Sequence, residues 1–181
     1  MDAMTTSLAT GHEPRPDTLA IRPVAPDEHA EAGRLTAEAY RTSYEGLTEG
    51  YLASLADVEG RVAQGEVWVA LDGDELVGTV WVPRPGGRLS PLAQEGELDF
   101  RQLAVAPSAR GRGVGEALTR HVMALARERG ADRVVMNSGA EMLGAHALYL
   151  KLGFRRMPER EYPVEVAPGR FLDLWAFGYD L

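Results

Sequence analysis

Residues 98–130, LDFRQLAVAPSARGRGVGEALTRHVMALARERG, constrain this chain more than any other stretch. An apolar run ends at Pro107 and gives way to a turn rich in arginine and glycine, Arg110-Gly111-Arg112-Gly113-Val114-Gly115. Apolar residues then recur at helical spacing as far as Gly130, a residue suited to closing a helix. A glycine loop that opens a helix is a place to hold a phosphate. The first helical turn has N–H groups without intrahelical partners, and the helix dipole makes that end positive. Glycine lets the backbone approach a ligand closely. Arg110 and Arg112 can add charge-assisted hydrogen bonds. The stretch points to a diphosphate-bearing ligand. Taken alone, it is equally compatible with a helix-start turn carrying solvated arginines.

The rest of the chain alternates strands and helices, which predicts an α/β fold with a mixed sheet. Residues 1–17 have no periodicity and are expected to form a disordered tail before a single domain over 18–181. Strands are expected over 19–24, 66–71, 75–82, 96–105, 133–137 and 170–179, with a further strand starting in 154–157. Helices are expected over 26–40, 49–64, 114–129 and 142–152. Asp72-Gly73-Asp74 joins the second and third strands as an antiparallel hairpin. That hairpin lies just before the loop. A dinucleotide-binding fold instead places its glycines in a first strand–helix–strand unit, and the lysine and Ser/Thr of a P-loop are missing here.

Composition removes several chemistries. With no cysteine among its 181 residues, the chain has no disulfide, zinc-thiolate site or cysteine nucleophile. Its four histidines lack metal-ligand spacing, so no metal is expected. A formal net charge of −8 argues against generic nucleic-acid binding. No apolar run has the length of a membrane span, and the N-terminus lacks the pattern of a secretory leader. A soluble cytoplasmic protein with no membrane partner is expected.

A second motif is Ala145-His146-Ala147-Leu148-Tyr149-Leu150-Lys151-Leu152-Gly153-Phe154. Helical spacing puts Ala145, Leu148 and Leu152 on one face, with Tyr149 one position round. Spacing alone leaves Tyr149 readable as an ordinary core or boundary tyrosine. Taken together, three pieces resemble the GNAT superfamily of acyl-CoA-dependent N-acetyltransferases. They are Leu103-Ala104-Val105-Ala106-Pro107, the Arg-x-x-Gly-x-Gly loop at 110–115, and Ala-x-x-Leu-Tyr-x-x-Leu-Gly-Phe at 145–154. They occur in the family's order, and the resemblance spans residues 19–181. It says little about the acceptor.

The resemblance implies a strongly twisted mixed sheet flanked by about four helices. It implies acetyl-CoA as co-substrate and direct attack of an amine on the thioester. Leu103, Ala104 and Val105 match the strand that pairs with the pantetheine arm. Gly111, Gly113, Val114 and Gly115, with Arg110 and Arg112, match the pyrophosphate loop. Many members carry Asn where this chain has Met142, and Asn137 or Ser138 is the expected substitute. Tyr149 matches the proton donor to the CoA sulfur, and the Val105 N–H is a candidate oxyanion donor. An alkyl ammonium is neutral at pH 7 on the order of one part in a thousand, so a carboxylate base is useful. Asp99, and after it Glu97, are the candidates, with rim or salt-bridge carboxylates as the other reading. Tyr40, Tyr44 and Glu45 are expected on the acceptor wall. A longer acyl chain and a non-catalytic CoA-binding module remain open alternatives. Residues 171–177 permit pairing into a homodimer.

Overall fold

A computed structural model describes residues 19–167 and 169–181; the tail expected over 1–17 lies outside them. The first sheet joins β1 (Leu19–Pro23), β2 (Glu66–Asp72), β3 (Glu75–Val82) and, past an intervening strand, β5 (Arg101–Val105), each antiparallel to its neighbour. The second is built on β6 (Arg133–Gly139) and β9 (Arg170–Asp180). There β4 (Glu97–Asp99) runs parallel to β6, while β7 (Arg155–Arg156) and β8 (Tyr162–Ala167) pair antiparallel with β9.

The strand expected over 96–105 is two strands in two sheets. The chain leaves β6 at Asp99 and joins β3 at Arg101. Phe100, 1% exposed, is the pivot, its ring edge-on to Tyr149 at 6.0 Å. Beyond this point β5 has β3 on one side only, and β5 and β6 diverge.

Among the described residues, five α-helices cover the sheets: α1 (His29–Arg41), α2 (Glu49–Ala56), α3 (Val58–Gln64), α4 (Val114–Glu128) and α5 (Leu143–Lys151). The helix expected over 49–64 is divided at Asp57. Its carboxylate caps α3 by accepting from the Gly60 N–H at 2.9 Å, so one helix becomes two. On the first sheet, α1 is keyed by a buried Thr36–Thr79 hydroxyl pair at 2.9 Å. The other face carries α4, whose buried Val114, Leu118, Val122 and Leu125 follow the helical repeat. Gly78 lets α4 sit directly on β3. A Cβ there would stand 2.8 Å from Val114 Cγ1 and 2.9 Å from Leu118 Cδ1. No helix among the described residues is long and apolar enough to cross a membrane.

The two carboxylates of β4 serve the scaffold, which corrects their reading as candidate bases. Asp99, 1% exposed, accepts from the Leu89 N–H at 2.9 Å and from the Ser90 hydroxyl at 2.9 Å. It thereby fastens the loop between β3 and β4. Glu97 accepts from both Arg160 Nη atoms at 2.8 Å, from Arg133 at 3.3 Å and from the Gln94 N–H at 3.0 Å. Arg160 also donates to the Leu92 carbonyl, so β4, the loop and the segment after β7 are tied together. Burial pushes the Glu97 carboxyl up, but Arg160, Gln94 and Arg133 outweigh it, leaving its pKa below the ordinary value.

Replacing Asp99 by Ala leaves two donors without their acceptor. The expected loss is ~2 kcal/mol, read as a Tm lower by roughly 4–8 °C. Glu97→Gln should also melt below wild type at pH 7. Because the folded pKa is the lower one, the ionised carboxylate stabilises above the unfolded value and loses that effect as pH falls through the folded value. The gap between the two melting curves should therefore close in acid. A constant gap would contradict the ion-pair account.

Candidate functional site

The divergence of β5 from β6 opens a cavity of about 740 Å³. Its walls are β5, the loop before α4, the end of β6, the start of α5 and the end of α1. Strand alternation decides which backbone groups face it. The Ala106 N–H donates to Val77 across β3 at 2.9 Å, so the odd-numbered Leu103 and Val105 turn their N–H and C=O groups to the opposite, unpaired edge. An edge of this kind accepts an extended amide-bearing ligand as a further strand.

At the far end of β5 a 3-10 turn, Pro107–Ala109, leads into the loop. Gly111 and Gly113 have φ of 75° and 81°, the left-handed region that costs a side chain about 1–2 kcal/mol. Gly113 is the N-cap of α4 and offers no capping side chain. The first intrahelical bond is Ala117 N–H to the Gly113 carbonyl at 2.9 Å, which leaves the N–H groups of Val114, Gly115 and Glu116 for a ligand. Gly111, Gly113, Val114 and Gly115 all line the cavity, as do Leu103, Ala104 and Val105. These uncapped donors and the open strand edge fit the two ends of a CoA arm, diphosphate and pantetheine.

The two loop arginines do not behave alike. Arg110 lines the cavity but is tied to the end of α1. Its Nη2 donates to the Ala39 carbonyl at 3.0 Å, Thr42 Oγ1 at 2.8 Å and Ser43 Oγ at 2.9 Å. Arg112 turns away and pairs with Asp72 at the β2–β3 hairpin, which removes it from the expected phosphate contacts. The groups left free to meet an anion are therefore the backbone donors of the helix start, with Arg110 beside them.

Tyr149 projects from α5 into the same cavity. It is 3% exposed and packed among Phe100, Phe154 and Phe177 at 5.8–6.0 Å between ring centres. Burial pushes its hydroxyl pKa well above the ordinary value, so the group stays protonated at neutral pH and has a proton to donate. Met142 stands before α5 without a side-chain cap. Nearby, Asn137 donates to Tyr162 Oη at 3.1 Å, while the buried Ser138 Oγ has no partner among the described residues. All three residues line the cavity.

The α1 wall carries Tyr40 and Tyr44, edge-on at 5.4 Å, and Tyr51 stands behind Tyr40 at 6.2 Å. Glu45 is exposed and does not line the cavity, so the expected acceptor contact is absent there. Asp99 and Glu97 are outside it as well, engaged as described above. Sequence reasoning missed Arg101, Gln102 and Glu141, all of which line it. Gln102 sits at a register shift of β5 with φ of 51°, and its buried Oε1 has no partner among the described residues. No sequence signal marks a bulge at a glutamine.

Comparison with known proteins follows the same lines. The sequence matches the acetyltransferase (GNAT) family over residues 32–154. N-acetyltransferase 8F1 of Rattus norvegicus is 32% identical over 124 residues, 66% of this chain and 49% of that protein. The chain thus spans about half the length of the curated relatives it matches. Among solved structures, a GNAT-family acetyltransferase from Staphylococcus aureus Mu50 superposes with a TM-score of 0.69 at 16% identity, covering 90% of this chain and 99% of that one. One from Elizabethkingia anophelis, solved with acetyl-CoA bound, gives 0.61 at 18% identity, covering 91% and 99%. At these identities the likeness establishes the fold, a mixed α/β architecture of the GNAT type. The sequence match over more than half the chain assigns it to the acetyltransferase (GNAT) family.

Proposed function

We propose that this chain transfers an acetyl group from acetyl-CoA to an amine, with both substrates bound at once in the cavity between β5 and β6. The observation that carries the reading is the joining of an unpaired strand edge, an uncapped helix start and a buried tyrosine in one space. Acetyl-CoA supplies the activated thioester carbonyl. The bound structure of the Elizabethkingia anophelis relative supports that choice of co-substrate.

Each residue then has a physical task. The N–H groups of residues 114–116 hold the diphosphate, and the edge groups of Leu103 with the Val105 carbonyl hold the pantetheine amides. The Val105 N–H, fixed in its direction by the bond at Ala106, donates to the carbonyl oxygen as negative charge grows on it. Tyr149 donates its proton to the departing sulfur, and its raised pKa keeps that proton available until the thiolate forms. The transfer needs no covalent enzyme intermediate, consistent with a chain that has no cysteine.

Tyr149→Phe keeps the packed ring and removes only the donor. It should lower kcat by ~100-fold or more while leaving KM for acetyl-CoA within about twofold. Unchanged turnover would remove Tyr149 from the chemistry.

The loop makes a paired prediction. Gly113→Ala strains the turn that presents the helix start, and CoA affinity by titration calorimetry should fall by roughly tenfold. Arg112→Gln should leave it within about twofold, because that guanidinium is committed to Asp72. The reverse ranking would place the anion site on the arginine and not on the backbone.

A further inference from the structure

Five charged side chains line the cavity: Arg101, Arg110, Glu116, Glu141 and Lys151. Three of them are engaged within the protein. Arg110 is bonded to the end of α1, and Lys151 pairs with Glu116 at 2.7 Å. The side chains of Arg101 and Glu141 make no hydrogen bond or ion pair with any described residue, so one cation and one anion line the same space without a protein partner.

In the sheet register Arg101 lies opposite Trp81, on the face covered by α1 and α2. Tyr40 and Tyr51 are on that face too. Burial raises both their pKa values, and the positive charge of Arg101 opposes the rise. Arg101 is partly buried, where an unpaired cation is costly. The CoA diphosphate is not its partner. Four strand residues, roughly 13 Å, separate Arg101 from Val105, and the loop lies beyond. Glu141, exposed at the turn before α5, lines the same cavity.

We propose that the acceptor is a zwitterion, a small amino acid-like molecule whose carboxylate pairs with Arg101 and whose ammonium enters on the side of Glu141. Its apolar body rests on Tyr40 and Tyr44. The inference rests on the acetyl-transfer reading and gives that reading a substrate class.

The test is acetyl-CoA-dependent thiol release with matched sets of apolar and aromatic L-amino acids, their amides and their decarboxylated amines. Wild type, Arg101→Gln and Arg101→Lys are compared, with CoA titration calorimetry on each. In wild type the amino acids should be preferred by roughly 10- to 100-fold in kcat/KM. Arg101→Gln should erase that preference through KM for the amino acid, leaving CoA affinity within about twofold. Arg101→Lys should restore part of it. The wild-type comparison does not depend on any variant folding. Equal or better turnover of the carboxylate-free amines overturns the proposal, as does a preference that survives Arg101→Gln. CoA binding without turnover of any amino acid overturns it too, and leaves the acetyl-transfer reading standing. Failure to bind CoA overturns that reading itself, and the proposal with it.

Discussion

The structure depends on one crossing of the backbone. Between Asp99 and Arg101 the chain leaves the parallel pairing with β6 and enters the antiparallel pairing with β3, and Phe100 is buried at the turning point. Had the strand continued alongside β6, its N–H and C=O groups would have been consumed by the sheet. Crossing instead leaves one edge of β5 without a partner and opens the space beside it. Unpaired backbone polar groups are normally costly when buried. Here they line a cavity, where an amide-bearing ligand can satisfy them.

Everything around the gap acts to keep it open in one shape. Tyr149 packs against Phe100 from α5, so the cavity's buried tyrosine and the pivot of the crossing share one contact. Gly78 brings α4 close to β3, which sets the start of that helix beyond the end of β5. Arg110 ties the glycine loop to the end of α1, linking the diphosphate end of the cavity to the acceptor wall. Asp99 and Glu97 lock the second sheet's side of the crossing. Their carboxylates stabilise the scaffold, and the reactive space is left to neutral donors and to the unpaired Arg101 and Glu141.

The parts that were legible in the sequence are those written in local patterns. The β2–β3 hairpin, the amphipathic α4 and the glycine loop follow from turn chemistry and periodicity, and they appear within a residue or two of the expected limits. Placement of Tyr149 in the cavity was legible only through resemblance, since spacing did not separate it from a core tyrosine. Three features were not legible. The division at Phe100 depends on which strands compete for the segment, a tertiary choice with no local mark. β8 was missed because it contains Pro163, which is tolerated there because β8 is an edge strand paired only with β9. The fates of Asp99, Glu97, Glu45 and Arg112 turned on partners distant in the chain or on the direction of a loop, as in the 40-residue separation of Arg112 from Asp72.

The central claim is that the open edge of β5 and the start of α4 together receive the CoA arm. Residue-resolved amide hydrogen exchange with and without CoA tests it most directly. The account predicts new protection at Leu103 and Val105 on the strand edge and at residues 113–116 of the helix start. The Ala106 amide, already bonded to β3, should change little. Protection confined to other surfaces, or CoA binding that leaves these amides exchanging as before, would contradict it.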